Sequence, residues 1–148
     1  MVTHMLIATD GSELSEKAVD HGLDLAKRLG ARVTAFTATE RWSVLDMAQK
    51  ARTGATNPIA EYEQMAADHA AAILAKVVAK ASLAGVPCET VHCAGKNAAE
   101  GIVEEADTRD CDMIVMASHG RRGLDRMIIG SQTLRVLALT TRAVLVYR

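Results

Sequence analysis

Between Asp112 and Thr133 the chain reads DMIVMASHGRRGLDRMIIGSQT, and this stretch narrows the folds open to it. The apolar run Met113 to Met116 breaks off at Ala117-Ser118-His119-Gly120. A loop bearing Arg121, Arg122 and Arg126 follows, and Gly130-Ser131 then opens a new apolar-periodic segment. A buried strand that feeds a glycine-bearing basic loop ending at a helix N-terminus is how proteins build an anion site. The unpaired N–H groups of the first helical turn point at the ligand, and the helix dipole favours negative charge there. Glycine lets backbone come close to a phosphate where a Cβ would intrude.

The same alternation runs through the chain. Met5 to Thr9 is an apolar run closed by the turn signal Asp10-Gly11-Ser12, with Ser12 suited to cap a helix. Leu14, Ala18, Gly22, Leu25, Ala26 and Leu29 then fall at helical spacing, and Gly30 ends the helix. Arg32 to Thr39 reads as a second strand. Trp42 to Asn57 lacks a clear period and reads as a loop with a helical piece around Val44 to Arg52, either a lid or a long connection. Pro58 suits the first turn of a long helix to Leu83, ended by Gly85 and Pro87. Glu89 to Cys93 is a third strand. Asn97 caps a helix whose stripe is Ala99, Ile102, Val103 and Ala106. A helix from about Ser131 to Leu139 and a strand from Ala143 to Tyr147 complete the series.

Five strands alternating with four helices predict an α/β fold, a five-stranded, mostly parallel open sheet with right-handed crossovers. The 148 residues suit one domain, 1–148. The hydrophobic residues are mostly aliphatic, with one Trp, two Tyr and one Phe, as in helices packed on a parallel sheet. A net charge of −1 gives no field for nucleic acid or a membrane surface, and aromatic stacking platforms are missing. The opening MVTHMLIATDG is a poor secretory signal and no apolar run reaches membrane-spanning length, so the expected location is cytoplasmic. Cys88, Cys93 and Cys111 lack metal or disulfide spacing and read as reduced thiols.

In open α/β sheets ligands bind beyond the carboxyl ends of the strands, where the winding reverses. The segments Ala8–Ser12 and Ala117–Gly120 would face one crevice if the first and fourth strands are neighbours. The pair Ser118–His119 invites a catalytic reading, but sequence neighbours rarely point at each other and no third member is evident. His4, His21, His69 and His92 are scattered and read as surface or partly buried. Met47, Met65, Met113 and Met127 read as core or interface filler. No G-x4-G-K-[ST] or strand-following G-x-G-x-x-G is present, which disfavours Walker-type and dinucleotide-binding sites. The apolar run Ala143 to Tyr147 makes a natural sheet edge, and unprotected edges pair with other chains.

The segments MLIATDGSELSEKAV, DMIVMASHGRRGLDRMIIGS and TRAVLVYR resemble the universal stress protein (UspA-like) family, over essentially the whole chain. Its nucleotide-binding branch carries G-x2-G-x9-G-[S/T]; here the spacing is kept through Gly120 and Gly130-Ser131, with Ala117 in the first position. The resemblance implies a Rossmann-like, adenine nucleotide alpha hydrolase-like fold that binds ATP and acts as a regulatory module in stress response. It places Ala8, Thr37 and Met116 around the base and Asp10 near ribose and phosphates. Ala117, His119 and Gly120 would contact ribose and phosphate, and Gly130, Ser131, Gln132 and Thr133 would hold the phosphates. A carboxylate such as Asp10 beside a triphosphate calls for Mg2+. The loop from Ser118 to Ser131 would order around the triphosphate, with Arg121, Arg122 and Arg126 available to neutralise it. Without a Walker lysine or a positioned base, hydrolysis should be slow at most. The family also implies a homodimer through the strand Ala143 to Tyr147. The alternative is a dimeric protein-interaction module that binds no nucleotide, and a weaker third reading is an enzyme acting on adenylate groups.

Overall fold

The computed structural model describes residues 1–119 and 129–148. In chain order the elements are β1 (His4–Ala8), α1 (Glu13–Leu29), β2 (Arg32–Thr39), α2 (Val44–Arg52) and α3 (Pro58–Ala84). They continue as β3 (Cys88–Ala94), α4 (Ala98–Thr108), β4 (Met113–Ala117), α5 (Ser131–Leu139) and β5 (Ala143–Tyr147). Local chemistry sets the boundaries. Ser12 Oγ accepts from Ser15 N to start α1, and Gly30, with φ at +66°, ends it in the left-handed conformation that glycine adopts without strain. Asn57 caps α3 with Pro58 at its first position, and Asn97 caps α4.

All strand pairs are parallel, in the order β3-β2-β1-β4-β5. The chain winds outward from β1 through β2 to β3, then starts again on the other side with β4 and β5. β1 and β4 are therefore neighbours, paired Met5 to Met113, Leu6 to Ile114 and Ile7 to Val115. The winding reverses between them, so the crevice expected there is present.

Strand alternation sends successive side chains to opposite faces, and each face has its own core. Met5, Ile7, Val33, Ala35 and Val115 pack with Val19 and Leu23 of α1 and Leu74, Val77 and Ala81 of α3. Leu6, Ala8, Phe36, Ile114 and Met116 pack with Ala99, Ile102 and Ala106 of α4 and Val136 of α5. The buried stripe of α1 is Ser15, Ala18, Val19, Gly22, Leu23 and Ala26, rotated from the predicted one. Leu29, predicted inside, is 47% exposed because the helix has run past the sheet edge by then.

The count of four helices is corrected to five among the described residues, because the helical piece in the 42–57 connection is a complete element. Ser43 and Asp46 form a reciprocal capping box at its start, and Asp46, accepting from the Ser43 hydroxyl and N–H, is held below the usual carboxylate range. No residue of α2 is buried. Trp42, half-buried, sits just before it. In α3 the buried residues begin only at Ala70, so roughly 18 Å of helix precedes its packed part.

At the amino edge of the sheet, His4 is 2% exposed, against the expectation of a surface or partly buried residue. β1 is the central strand, covered on both sides, so its first residue is covered too. His4 Nδ1 lies 3.1 Å from Arg109 O, to which it donates, and Nε2 lies 2.8 Å from Thr34 Oγ1. Thr34 Oγ1 also lies 2.9 Å from Glu89 Oε1, and Glu89 pairs with Arg109 at 3.1 Å. Burial, with the charge of Arg32, lowers the His4 pKa; the Thr34 hydroxyl, followed by Arg109, lowers that of Glu89. Nearby, Asp112 Oδ2 accepts from Thr3 N at 2.7 Å, Thr3 Oγ1 at 3.0 Å and His4 N at 3.0 Å, and these bonds lower its pKa.

Candidate functional site

At the carboxyl edge, a cleft of about 1260 Å³ opens over the ends of β1, β2 and β4. Its floor includes Ala8 and Asp10 after β1, Thr37 from β2, and Met116 and Ala117 from β4. One wall is the β3–α4 turn at Gly95, Lys96 and Asn97, and another is α2 with the early turns of α3. His119, Gly130, Ser131, Gln132 and Thr133 close the remaining side. Every candidate site residue predicted from sequence that is described thus lines this one cleft. Gly120, Arg121, Arg122, Arg126 and Met127, and with them most of the loop expected to close on phosphates, lie outside the described residues.

The junction of β4 and α5 is tightly built. Gly130 N donates to Ser118 O at 2.7 Å, and the buried Thr133 hydroxyl lies 3.0 Å from Ala117 O and 3.1 Å from Ser118 O. A Cβ on Gly130 would come within 3.1 Å of Ser118 O and 3.2 Å of His119 Cα. The glycine is needed here for close approach of two backbone segments, not for its dihedrals, which are φ −62° and ψ 153°. The Gly130 N–H and the Thr133 hydroxyl are thus spent on the protein itself. Gln132 Oε1 likewise accepts from Ala99 N at 3.1 Å, adding to the Asn97 cap of α4.

What faces the cleft is the first turn of α5. Leu134 N is the first to bond within the helix, to Gly130 O at 3.0 Å, which leaves the N–H groups of Ser131, Gln132 and Thr133 ahead of it. Gly130, at the cap position, makes no side-chain cap bond. Among the described residues no side chain caps this helix start, whose positive dipole end lies at the cavity.

Across the cleft, Asp10 Oδ1 accepts from Ser12 N at 3.0 Å and Gly11 N donates to Thr9 Oγ1 at 3.1 Å. These bonds make the β1–α1 turn and aim the Asp10 carboxylate. Thr9 Oγ1 and Ser15 Oγ, 3.0 Å apart, anchor the turn to α1. Thr37 is 1% exposed, on the floor.

Ser118 and His119 do point at each other, contrary to the sequence argument: Ser118 Oγ lies 3.1 Å from His119 Nδ1. Ser118, however, is 3% exposed, with its N–H donating to Tyr147 O at 2.7 Å and its carbonyl taken by Gly130 and Thr133. It serves as the hub joining β4, β5 and α5, and it is not presented to the cleft as a nucleophile would be.

Sequence reasoning placed the helical piece Val44 to Arg52 but left it open between a lid and a long connection, and did not name its cleft-lining residues. Asp46, Gln49, Lys50 and Thr53 line the cleft, with Tyr62, Met65 and His69 of α3 beside them. Their polarity made the segment resemble an ordinary connection. The available signal was the capping box Ser43–Asp46 followed by a turn at Gly54. Met65, read as core or interface filler, is 63% exposed at the cleft rim. Cys111 is buried and its thiol is pushed up to about 11 by that burial, while Cys88 and Cys93 are half-buried and unbridged.

A family model described as the universal stress protein family matches residues 1–148. The chain belongs to the universal stress protein family. It is 32% identical over 158 residues to the universal stress protein YxiE of Bacillus subtilis (strain 168), covering 100% of both chains. UspA from Lactobacillus plantarum superposes with a TM-score of 0.80 at 21% identity, covering 99% of this chain and 98% of that one. A universal stress protein crystallised in complex with cAMP gives a TM-score of 0.69 at 22% identity, covering 99% and 97%. The family's fold is therefore the one seen here. Among the described residues no helix is long and apolar enough to cross a membrane.

Proposed function

We propose that this universal stress protein binds an adenine nucleotide, ATP with Mg2+, in the cleft over β1, β2 and β4, and acts as a nucleotide-dependent regulatory module in the stress response. The observation that carries the reading is the first turn of α5, without a side-chain cap among the described residues, lining the same cleft as Asp10. Three backbone N–H groups and a dipole end can take a phosphate chain there. Asp10 stands where it can meet a ribose hydroxyl or a phosphate-bound cation. Among the described residues no group of three His, Cys, Asp or Glu side chains could hold a metal ion unaided. Mg2+ therefore fits as a cation carried in on the phosphates, to which Asp10 adds a carboxylate ligand. A structural relative in complex with cAMP supports the adenine part of the assignment. Regulation follows if the nucleotide binds two states of the cleft walls with different affinity. β5 lies at the sheet edge, and we assign homodimerisation to it.

Ser131→Pro tests the cradle with little collateral change. Proline is tolerated at the first helical position, and Gly130, at ψ 153°, already has the extended backbone that a following proline requires. The substitution removes one N–H and one hydroxyl from the first turn. Calorimetric titration of nucleotide-stripped protein with Mg-ATP should show binding weakened about tenfold or more, the usual worth of a hydrogen bond to a charged group, with an unchanged melting temperature. Absence of binding in the parent chain would favour the nucleotide-free interaction module, for which the methyl of Ala117 at the cleft floor is the supporting observation.

A further inference from the structure

Helix α2 is turned the unusual way round. Asp46, Gln49, Lys50 and Thr53, spaced as one helical stripe, line the cleft, whereas Val44 and Leu45 are 80% and 78% exposed. A helix lying on a protein ordinarily buries its apolar stripe. Here a polar stripe faces a cavity, which suits a polar ligand and nothing in the core.

Within that stripe, the half-buried Lys50 donates from Nζ to Met65 Sδ at 3.2 Å. A thioether is a weak acceptor, so the ammonium has no strong partner there to give up. Arg41, between β2 and α2, lines the same end of the cleft. Among the described residues neither side chain makes an ion pair, whereas Lys96 on the opposite wall is paired with Glu104 at 2.6 Å. The α5 start follows β4, and Arg41 and α2 follow β2, on the far side of β1. Two strand spacings, about 10 Å, separate those strand ends. The cleft therefore has anion-seeking groups in the connections after both β4 and β2, with β1 between those strands.

We propose that Lys50, with Arg41, is a second anion-recognising place in this cleft, so that the site takes an adenine nucleotide bearing another phosphate beyond its nucleoside. This rests on the nucleotide reading above. On binding, the ammonium exchanges Met65 for a phosphate oxygen, a charge-assisted bond, and α2 is drawn onto the ligand. The second phosphate has two possible sources, a ribose phosphorylated at its 3′-hydroxyl or one phosphorylated at its 2′-hydroxyl.

The test is calorimetric titration of the nucleotide-stripped full chain with AMP, ATP, adenosine 3′,5′-bisphosphate and adenosine 2′,5′-bisphosphate, in the parent, Lys50→Met and Lys50→Arg. Methionine keeps helix propensity and stem length, and circular dichroism checks that α2 persists. The expected result is an affinity at least about tenfold higher than that for AMP with the 3′,5′-bisphosphate or with the 2′,5′-bisphosphate. Whichever ratio is raised identifies the source. Lys50→Met should bring that ratio to about one, and Lys50→Arg should retain it. Ratios near one in the parent, or a raised ratio that Lys50→Met leaves alone, would overturn the proposal while the nucleotide reading stood. If none of the four compounds bound, both would fall.

Discussion

A single hydroxyl proton links three strands at the amino edge. Thr34 Oγ1 lies between His4 Nε2 at 2.8 Å and Glu89 Oε1 at 2.9 Å and has one hydrogen to give. When His4 is neutral, its Nδ1–H is held by Arg109 O, and its Nε2 competes with Glu89 for the one Thr34 proton. When His4 is protonated, Nε2 donates to Thr34, which is released to Glu89. Burial lowers the His4 pKa from 6.5, so the unfolded chain takes up a proton before the folded one does. Stability present above about pH 6.5 is therefore lost progressively as the pH falls toward the lowered folded value. In urea titrations from pH 7.5 to 3, the parent midpoint should start to fall near pH 6.5. His4→Gln should stay flat there and fall only at lower pH, where Asp112 and Glu89, depressed from 3.8 and 4.5, lose their contribution. An identical profile in the variant would show that His4 does not titrate in this way. None of this was visible in the sequence, where a lone His4 ahead of an apolar run carries no sign of Thr34 and Glu89, which come from two other strands.

At the scale of elements, the strands and most helices were legible because their signals are local: β-branched runs, caps at Ser12 and Asn97, Pro58 at a first helical turn, and stop glycines. The roles of the α5 residues were less so. Gly130, Gln132 and Thr133 each answer to neighbours remote in the chain, Ser118 and Ala99, and sequence spacing does not separate a glycine that meets backbone from one that meets a ligand. β5 shows a similar double duty. It is an edge strand with half-buried Val144, Leu145 and Val146, and it also supplies the Tyr147 carbonyl that holds Ser118 N. Truncating it would damage the cleft floor along with any dimer. Val146→Lys is the cleaner probe, because it leaves the backbone in place and puts a charge on an edge that must desolvate to pair. Sedimentation velocity should show self-association weakened at least about tenfold, the effect of burying one uncompensated charge at an interface. An unchanged sedimentation coefficient would place the dimer contact elsewhere.

Over the whole molecule the two ends of the parallel sheet have different chemistry. The amino edge is a network of His4, Thr34, Glu89, Arg109 and Asp112 whose buried side-chain polar atoms all have protein partners. Among the described residues the carboxyl edge is left open, with no side-chain cap on α5 and Lys50 resting on a thioether. The switch point between β1 and β4 puts that open edge where the chain reverses its winding, and the walls come from the connections, which vary most freely. One of those walls is preceded by Trp42, the single tryptophan of the chain, half-buried beside Arg41 at the start of α2. The molecule thus carries its own optical reporter at the hinge of the wall. If Mg-ATP draws α2 inward, the indole changes its exposure, and the emission maximum and acrylamide quenching should both shift along the calorimetric isotherm. A calorimetric isotherm with silent fluorescence would mean that the ligand enters a cleft whose α2 wall stays where it is.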